Sequence, residues 1–192
     1  MKSVGIFGGT FDPVHIGHLI TARYVLEQRN LEKIIFIPCF ISPHKLDDKS
    51  VTSKHRLEMV KLAIAGTDGF EYSDYEISKE GISYTLDTVK HFKKLYSNIE
   101  LIIGYDNLVV FDKWHKPDEI LSLAKLAVMH RKVDKDVIME HDYHLRAELV
   151  ETPVIEISSS EIRERISKKL PVDFLLPESV KNYVITNNLY AD

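Results

Sequence analysis

The chain predicts an α/β fold, a mostly parallel, doubly wound sheet of Rossmann-like type with helices on both faces. Three observations carry this expectation. Short apolar runs alternate with segments of helical period, the pattern of strands joined by helical crossovers. The run KIIFIP at Lys33–Pro38 is apolar on consecutive residues, as a strand buried on both faces is. The notable polar segments all follow strand ends, where open α/β sheets bind ligands.

The elements follow in order. Val4–Phe7 reads as a first strand and Ile16–Arg29 as an amphipathic helix. Lys33–Pro38 is the second strand. Thr52–Ala65 has helical period, with Leu57, Val60, Ala63 and Ile64 on one face. Phe70–Ile77 reads as the third strand. Ser83–Tyr96 is helical, with Leu86, Val89, Phe92 and Leu95 at every third position. Ile99–Ile103 and Leu126–His130 are the fourth and fifth strands. Ser158-x-x-Glu161 has the form of a capping box and opens a helix. A last helix starts near Pro177, with Val180, Tyr183 and Val184 apolar. Phe40–Val51 and Tyr105–Ile120 read as irregular polar connections, and long connections in compact domains are often functional.

Bulk properties narrow the function. A length of 192 residues suits one domain, 1–192, with a small helical C-terminal part from about residue 157. At 44% hydrophobic, the chain can build a real core. A net charge of −4 argues against a general nucleic-acid binder, so a polyanionic ligand must be held by local charge and metal. The single cysteine, Cys39, forms no intramolecular disulfide and reads as a small buried hydrophobe in a reducing compartment. No apolar run approaches the roughly 18 residues that span a bilayer, and the N-terminus enters a strand directly. The expectation is a soluble cytoplasmic protein with no membrane or nucleic-acid partner, and homo-oligomers remain open.

The most informative stretch is Gly8-Gly9-Thr10-Phe11-Asp12-Pro13-Val14-His15-Ile16-Gly17-His18. Two glycines let the backbone pass close to a bulky ligand. Two imidazoles then stand at a helix N-terminus, where unpaired N–H groups and the helix dipole favour anions. Strand, glycine turn, helix start and histidine pair together describe a site for a nucleotide's phosphates. The spacing fits neither the common dinucleotide fingerprint nor the Walker loop. Ser158, Ser159 and Ser160 before a second helix N-terminus form another candidate anion cradle.

This stretch resembles the signature of the nucleotidylyltransferases with an HxGH motif, relatives of the class I aminoacyl-tRNA synthetases. Within them the chain is most similar to the bacterial nicotinate-mononucleotide adenylyltransferases, over nearly its whole length. The resemblance implies that Gly8, Gly9, Thr10, Phe11, His15 and His18 meet ATP, with His18 stabilising charge on the α-phosphate. It gives Lys45, and less firmly His44, to the acceptor's phosphate; this loop has Ser42 where relatives have a second proline. Ser83-Tyr84-Thr85 corresponds to the pyridine pocket, where the threonine hydroxyl at a helix start suits a nicotinate carboxylate. Gly104-x-Asp106, seven residues, then Trp114 matches a further motif. It implies close ligand approach at Gly104, ribose or adenosine contact at Asp106, and ring stacking at Trp114. Arg131 matches the arginine after the fifth strand. Ile157-Ser158-Ser159-Ser160-Glu161-Ile162-Arg163 matches a helix start that binds ATP phosphates, with Arg163 supplying the guanidinium.

The implied reaction is adenylyl transfer from ATP, taken with Mg2+, to nicotinate mononucleotide, with His15, His18, Lys45 and Arg163 as the catalytic set. No protein ligands for a metal are expected. The alternatives are nicotinamide mononucleotide or phosphopantetheine as acceptor, or a nucleotide sensor without catalysis. The joint presence of four separated cationic or imidazole positions speaks against the sensor.

Overall fold

Parallel pairing joins six strands into one sheet: β1 (Val4–Gly9), β2 (Lys33–Pro38), β3 (Phe70–Tyr72), β4 (Ile99–Gly104), β5 (Lys125–His130) and β6 (Ala147–Glu151). Their order is β3-β2-β1-β4-β5-β6, and every pair is parallel. The computed structural model describes residues 3–43, 50–130 and 141–191. Eight α-helices occur among these residues: α1 (Ile16–Gln28), α2 (Ser53–Ile64), α3 (Tyr75–Lys79), α4 (Thr85–Lys93), α5 (Tyr105–Val109), α6 (Pro117–Leu123), α7 (Ser159–Ser167) and α8 (Glu178–Thr186).

Side chains alternate across the sheet, so β2 feeds two cores. Ile34 and Phe36 join Phe7, Val25, Val60, Ile162 and Val180 on the face covered by α1, α2, α7 and α8. Ile35 and Ile37 join Ile6, Val89, Leu101, Ile120 and Val128 on the face covered by α4, α5 and α6. The chain is thus doubly wound, and the winding direction reverses between β1 and β4. A crevice at the carboxyl ends of those two strands is the natural ligand site of such a sheet.

Four expectations need correction. The third strand ends at Tyr72 and the chain turns into α3, because Ser73 Oγ accepts from the Tyr75 N–H at 3.2 Å and the Ser78 hydroxyl donates to Asp74 Oδ2 at 3.0 Å. These local side-chain bonds outcompete ladder pairing after three residues. The segment Tyr105–Ile120 is not irregular: it holds α5, a 3₁₀ turn at Phe111–Lys113 and the start of α6, with Pro117 at the first helical turn of α6. The helix read over Ser83–Tyr96 ends at Lys93, which leaves Leu95 63% exposed. The buried face of α2 is Arg56, Met59, Val60 and Ile64, with Leu57 and Ala63 half-buried beside it. The edge strand β6 has too few apolar residues to announce itself; it is held by pairing to β5.

Candidate active site

The glycine turn sits at the crevice. Gly8 at the end of β1 and Gly104 at the end of β4 both face open space: no atom lies within 4 Å of where a Cβ would stand. A cleft of about 800 Å3 opens there. Its walls bring together Gly8 and Gly9 of β1 with Thr10 just after it, Ser83, Tyr84 and Thr85 around the start of α4, and Gly104 and Trp114. Three motifs far apart in sequence therefore share one cavity.

The loop after β2 is tied to the segment before α4. Ile41 and Ile82 form an isolated parallel bridge, and the Ser83 N–H donates to the Ile41 carbonyl at 3.0 Å. Ser83 Oγ accepts from the Phe40 N–H at 2.9 Å. Glu76, in the same wall, accepts from Thr88 Oγ1 at 2.5 Å. Ser83 is thus committed to the wall of the cleft. Burial pushes the Glu76 carboxyl above the usual carboxylate range. Tyr84 is the N-cap of α4 and gives it no side-chain cap, and its ring packs against His115 at 4.8 Å. Trp114 is half-buried, with its indole against Phe111 at 5.1 Å.

His15 and His18 stand together at the start of α1. Their rings lie 3.6 Å apart between centroids. The His15 N–H donates to His18 Nδ1 at 3.2 Å, which leaves the proton of a neutral His18 ring on Nε2. Phe7 and Phe11 back the His18 ring at 6.2 and 5.2 Å. Burial lowers the His15 pKa to about 4. Burial, and then the neighbouring His15, holds His18 well below the ordinary imidazole value. Both rings are neutral at pH 7. Gly17 is required by this stack, since a Cβ would meet His15 ring atoms at 3.0 and 3.1 Å and Ile155 Cγ2 at 3.3 Å.

Behind the turn, α7 docks on residues 12 and 13. Ser159 Oγ donates to the Pro13 carbonyl at 2.9 Å, and Arg163 donates to the Asp12 carbonyl at 2.8 Å. Ser158 caps α7 by accepting from the Glu161 N–H at 3.1 Å.

Several expected residues are placed differently from their motif roles. The Phe11 ring is 3% exposed and belongs to the core under the histidines, so only its backbone reaches the turn. The Ile157 side chain packs against the same core. Asp106 is exposed on the first turn of α5, and its neighbour Asn107 lines the cleft instead. His44, Lys45 and Arg131 lie outside the described residues. Among the described residues no group of three or more His, Cys, Asp or Glu side chains is placed to hold a metal ion.

Two residues escaped the sequence reading. Arg56 is 2% exposed and donates to three backbone carbonyls: Thr10 at 2.8 Å, Phe40 at 3.0 Å and Val51 at 3.2 Å. It clamps the glycine turn to the loop after β2. Glu76 supports the opposite wall. The available signal for Arg56 was a lone cation three residues before Met59 on an apolar helix face.

Similarity to known proteins agrees with this geometry. The cytidylyltransferase-like family model matches residues 6–165. The nicotinate-nucleotide adenylyltransferase of Bacillus subtilis is 44% identical over 192 residues, covering 99% of each chain. Among solved structures, the Plasmodium falciparum nicotinic acid mononucleotide adenylyltransferase complexed with NaAD superposes with a TM-score of 0.79 at 21% identity, covering 99% of this chain and 98% of that one. The same enzyme complexed with APC gives 0.78 at 20% identity, over the same shares of the two chains.

Proposed function

The chain belongs to the nicotinate-nucleotide adenylyltransferases, within the cytidylyltransferase-like family, and from that membership we propose which of its residues carry each part of the reaction. The 5′-phosphate oxygen of nicotinate mononucleotide attacks the α-phosphorus of ATP. The bond from that phosphorus to the bridging oxygen breaks, pyrophosphate leaves, and deamido-NAD forms. The attacking phosphomonoester is largely dianionic at neutral pH, because its second pKa is about 6. It needs no general base, so the protein's work is positioning and charge stabilisation.

One observation supports this assignment above the others: the open faces of Gly8 and Gly104 at the sheet's reversal point, in a cleft shared by the Ser83–Thr85 and Trp114 motifs. ATP lies across the ends of β1 and β4, with its phosphates over the start of α1. Neutral His18, with its proton on Nε2, donates to the α-phosphate as charge builds there, and His15 and Thr10 stand beside it. Ser158, Ser159 and Arg163 serve the outer phosphates from α7. The acceptor's pyridine ring enters beside Trp114, and its carboxylate meets the uncapped start of α4 at Thr85. Lys45 and His44 serve the acceptor phosphate and Arg131 the nucleotide, on motif grounds. Magnesium enters with ATP as part of the substrate and neutralises the outgoing pyrophosphate.

The test supplies ATP and magnesium with nicotinate or nicotinamide mononucleotide and reads pyrophosphate. Faster release with the nicotinate form is expected, and no release with either acceptor refutes the reaction. His18→Ala should lower kcat by about 100-fold or more with a smaller change in KM, as loss of a transition-state donor does. Wild-type turnover in that variant would remove His18 from its role.

A further inference from the structure

Three residues far apart in sequence meet behind the triphosphate site. Asp12 lies in the turn before His15 and is 3% exposed. Tyr190, beyond α8, donates its hydroxyl to Asp12 Oδ1 at 2.6 Å. Arg163 Nη1 donates to the Asp12 carbonyl at 2.8 Å and stands 3.7 Å from Asp12 Oδ2, while Nη2 donates to Ser160 Oγ at 3.3 Å. Asp12 Oδ2 is buried and has no hydrogen-bond partner among the described residues.

A buried carboxylate oxygen without a partner is costly unless a cation offsets its charge. Arg163 is the guanidinium within ion-pair distance of it. The other oxygen is occupied by a hydroxyl that stays protonated: burial, and then the adjacent Asp12, raises the Tyr190 pKa far above the ordinary tyrosine value. The carboxylate is therefore fixed in orientation from one side and draws the guanidinium from the other. The backbone of residue 12 adds a direct bond to the same nitrogen. A long, rotamer-rich side chain is thereby ordered before ligand arrives, which spares its entropy on binding.

We propose that Asp12 and Tyr190 are positioning residues for Arg163, holding its guanidinium beside the His15–His18 turn to receive the outer phosphates of ATP. This rests on the assignment of Arg163 to ATP given above. It predicts an effect confined to one substrate, although Tyr190 is remote in sequence from every motif residue.

The experiment is a double-mutant cycle read by calorimetric binding of α,β-methylene ATP, with steady-state KM for both substrates. Tyr190→Phe should weaken the analogue about three- to tenfold, because the lost bond orients Asp12 rather than touching the ligand and only part of its worth reaches binding. The KM for nicotinate mononucleotide should stay within about twofold of the parent's. In an Arg163→Gln background the same change should weaken the analogue no further. Asp12→Asn, which keeps an acceptor for the tyrosine and removes the charge, should reproduce the pattern if Tyr190→Phe folds poorly. Unchanged analogue affinity, equal losses toward both substrates, or the full loss persisting without Arg163 overturns the proposal. A parent protein that binds the analogue yet releases no pyrophosphate overturns the assigned reaction and leaves the cycle readable.

Discussion

His15 and His18 show how a residue's neighbours set its chemistry. Packed together and mostly withdrawn from water, they stay neutral, so in the reaction proposed above His18 would serve as a hydrogen-bond donor rather than as a standing positive charge. The sign of the resulting pH dependence follows from the folded state's reluctance to bind a proton. Between pH 6.5 and about 4, an unfolded His15 is protonated while the folded one is not. The unfolded state binds more protons in that window, so stability falls with falling pH and is present in full above 6.5. The span corresponds to about 3 kcal/mol. Urea unfolding of the parent and of His15→Gln across pH 4 to 7.5 should show the parent losing that much more stability on acidification. Parallel curves would mean that His15 is not held neutral by the fold. Arg56 is the opposite case, a permanent charge buried on carbonyl oxygens, whose worth lies in joining two loops.

At the scale of elements, the start of α1 is built around an absent side chain. Gly17 sits in a helix, where alanine is favoured by roughly 1 kcal/mol. A Cβ there would meet the His15 ring at 3.0 and 3.1 Å and push that ring, which packs on His18, by a few tenths of an ångström. Gly17→Ala should therefore leave the melting temperature nearly unchanged while lowering kcat by about 10- to 100-fold, the scale of a small misplacement of a catalytic group. Undiminished turnover in a folded variant would refute the steric argument. The same element logic explains α7, whose capping serine and docking serine hold its N-terminus against the turn at residues 12 and 13. Ser158 and Ser159 thus each have a structural partner within the fold.

For the whole molecule, the sheet has a chemical end and a structural end. The carboxyl ends of β1 and β4 carry the open glycines. At the opposite end, Glu100 in β4 is 3% exposed and takes a two-pronged bond from Arg29, at 2.8 and 3.3 Å. Arg29 also reaches Glu148 of β6 at 3.3 Å, and so ties α1 to two strands. Breaking a buried pair by removing one partner costs about 3 kcal/mol or more. Arg29→Met should lose that much in urea unfolding, with KM values unaffected in protein that remains folded. A loss under about 1 kcal/mol would show that Glu100 finds another partner or a proton.

Strands β1 to β5 and the helices α1, α2, α4, α7 and α8, the glycine turn, the paired histidines and the capped start of α7 were legible in the amino-acid sequence. Each is set by periodicity or by residue types within about a dozen neighbouring positions, where backbone geometry dictates the outcome. The short helices after β4 and the early end of β3 were not, because a few local contacts decide elements of only three to seven residues. Tertiary structure alone decided that Ser83 belongs to a wall, that Phe11 and Ile157 belong to the core, and that Arg56, Glu76 and Tyr190 find the partners they bond. Those bonds join positions 12, 46 and 178 residues apart. Chain folding brings such partners together, and no local pattern records the meeting.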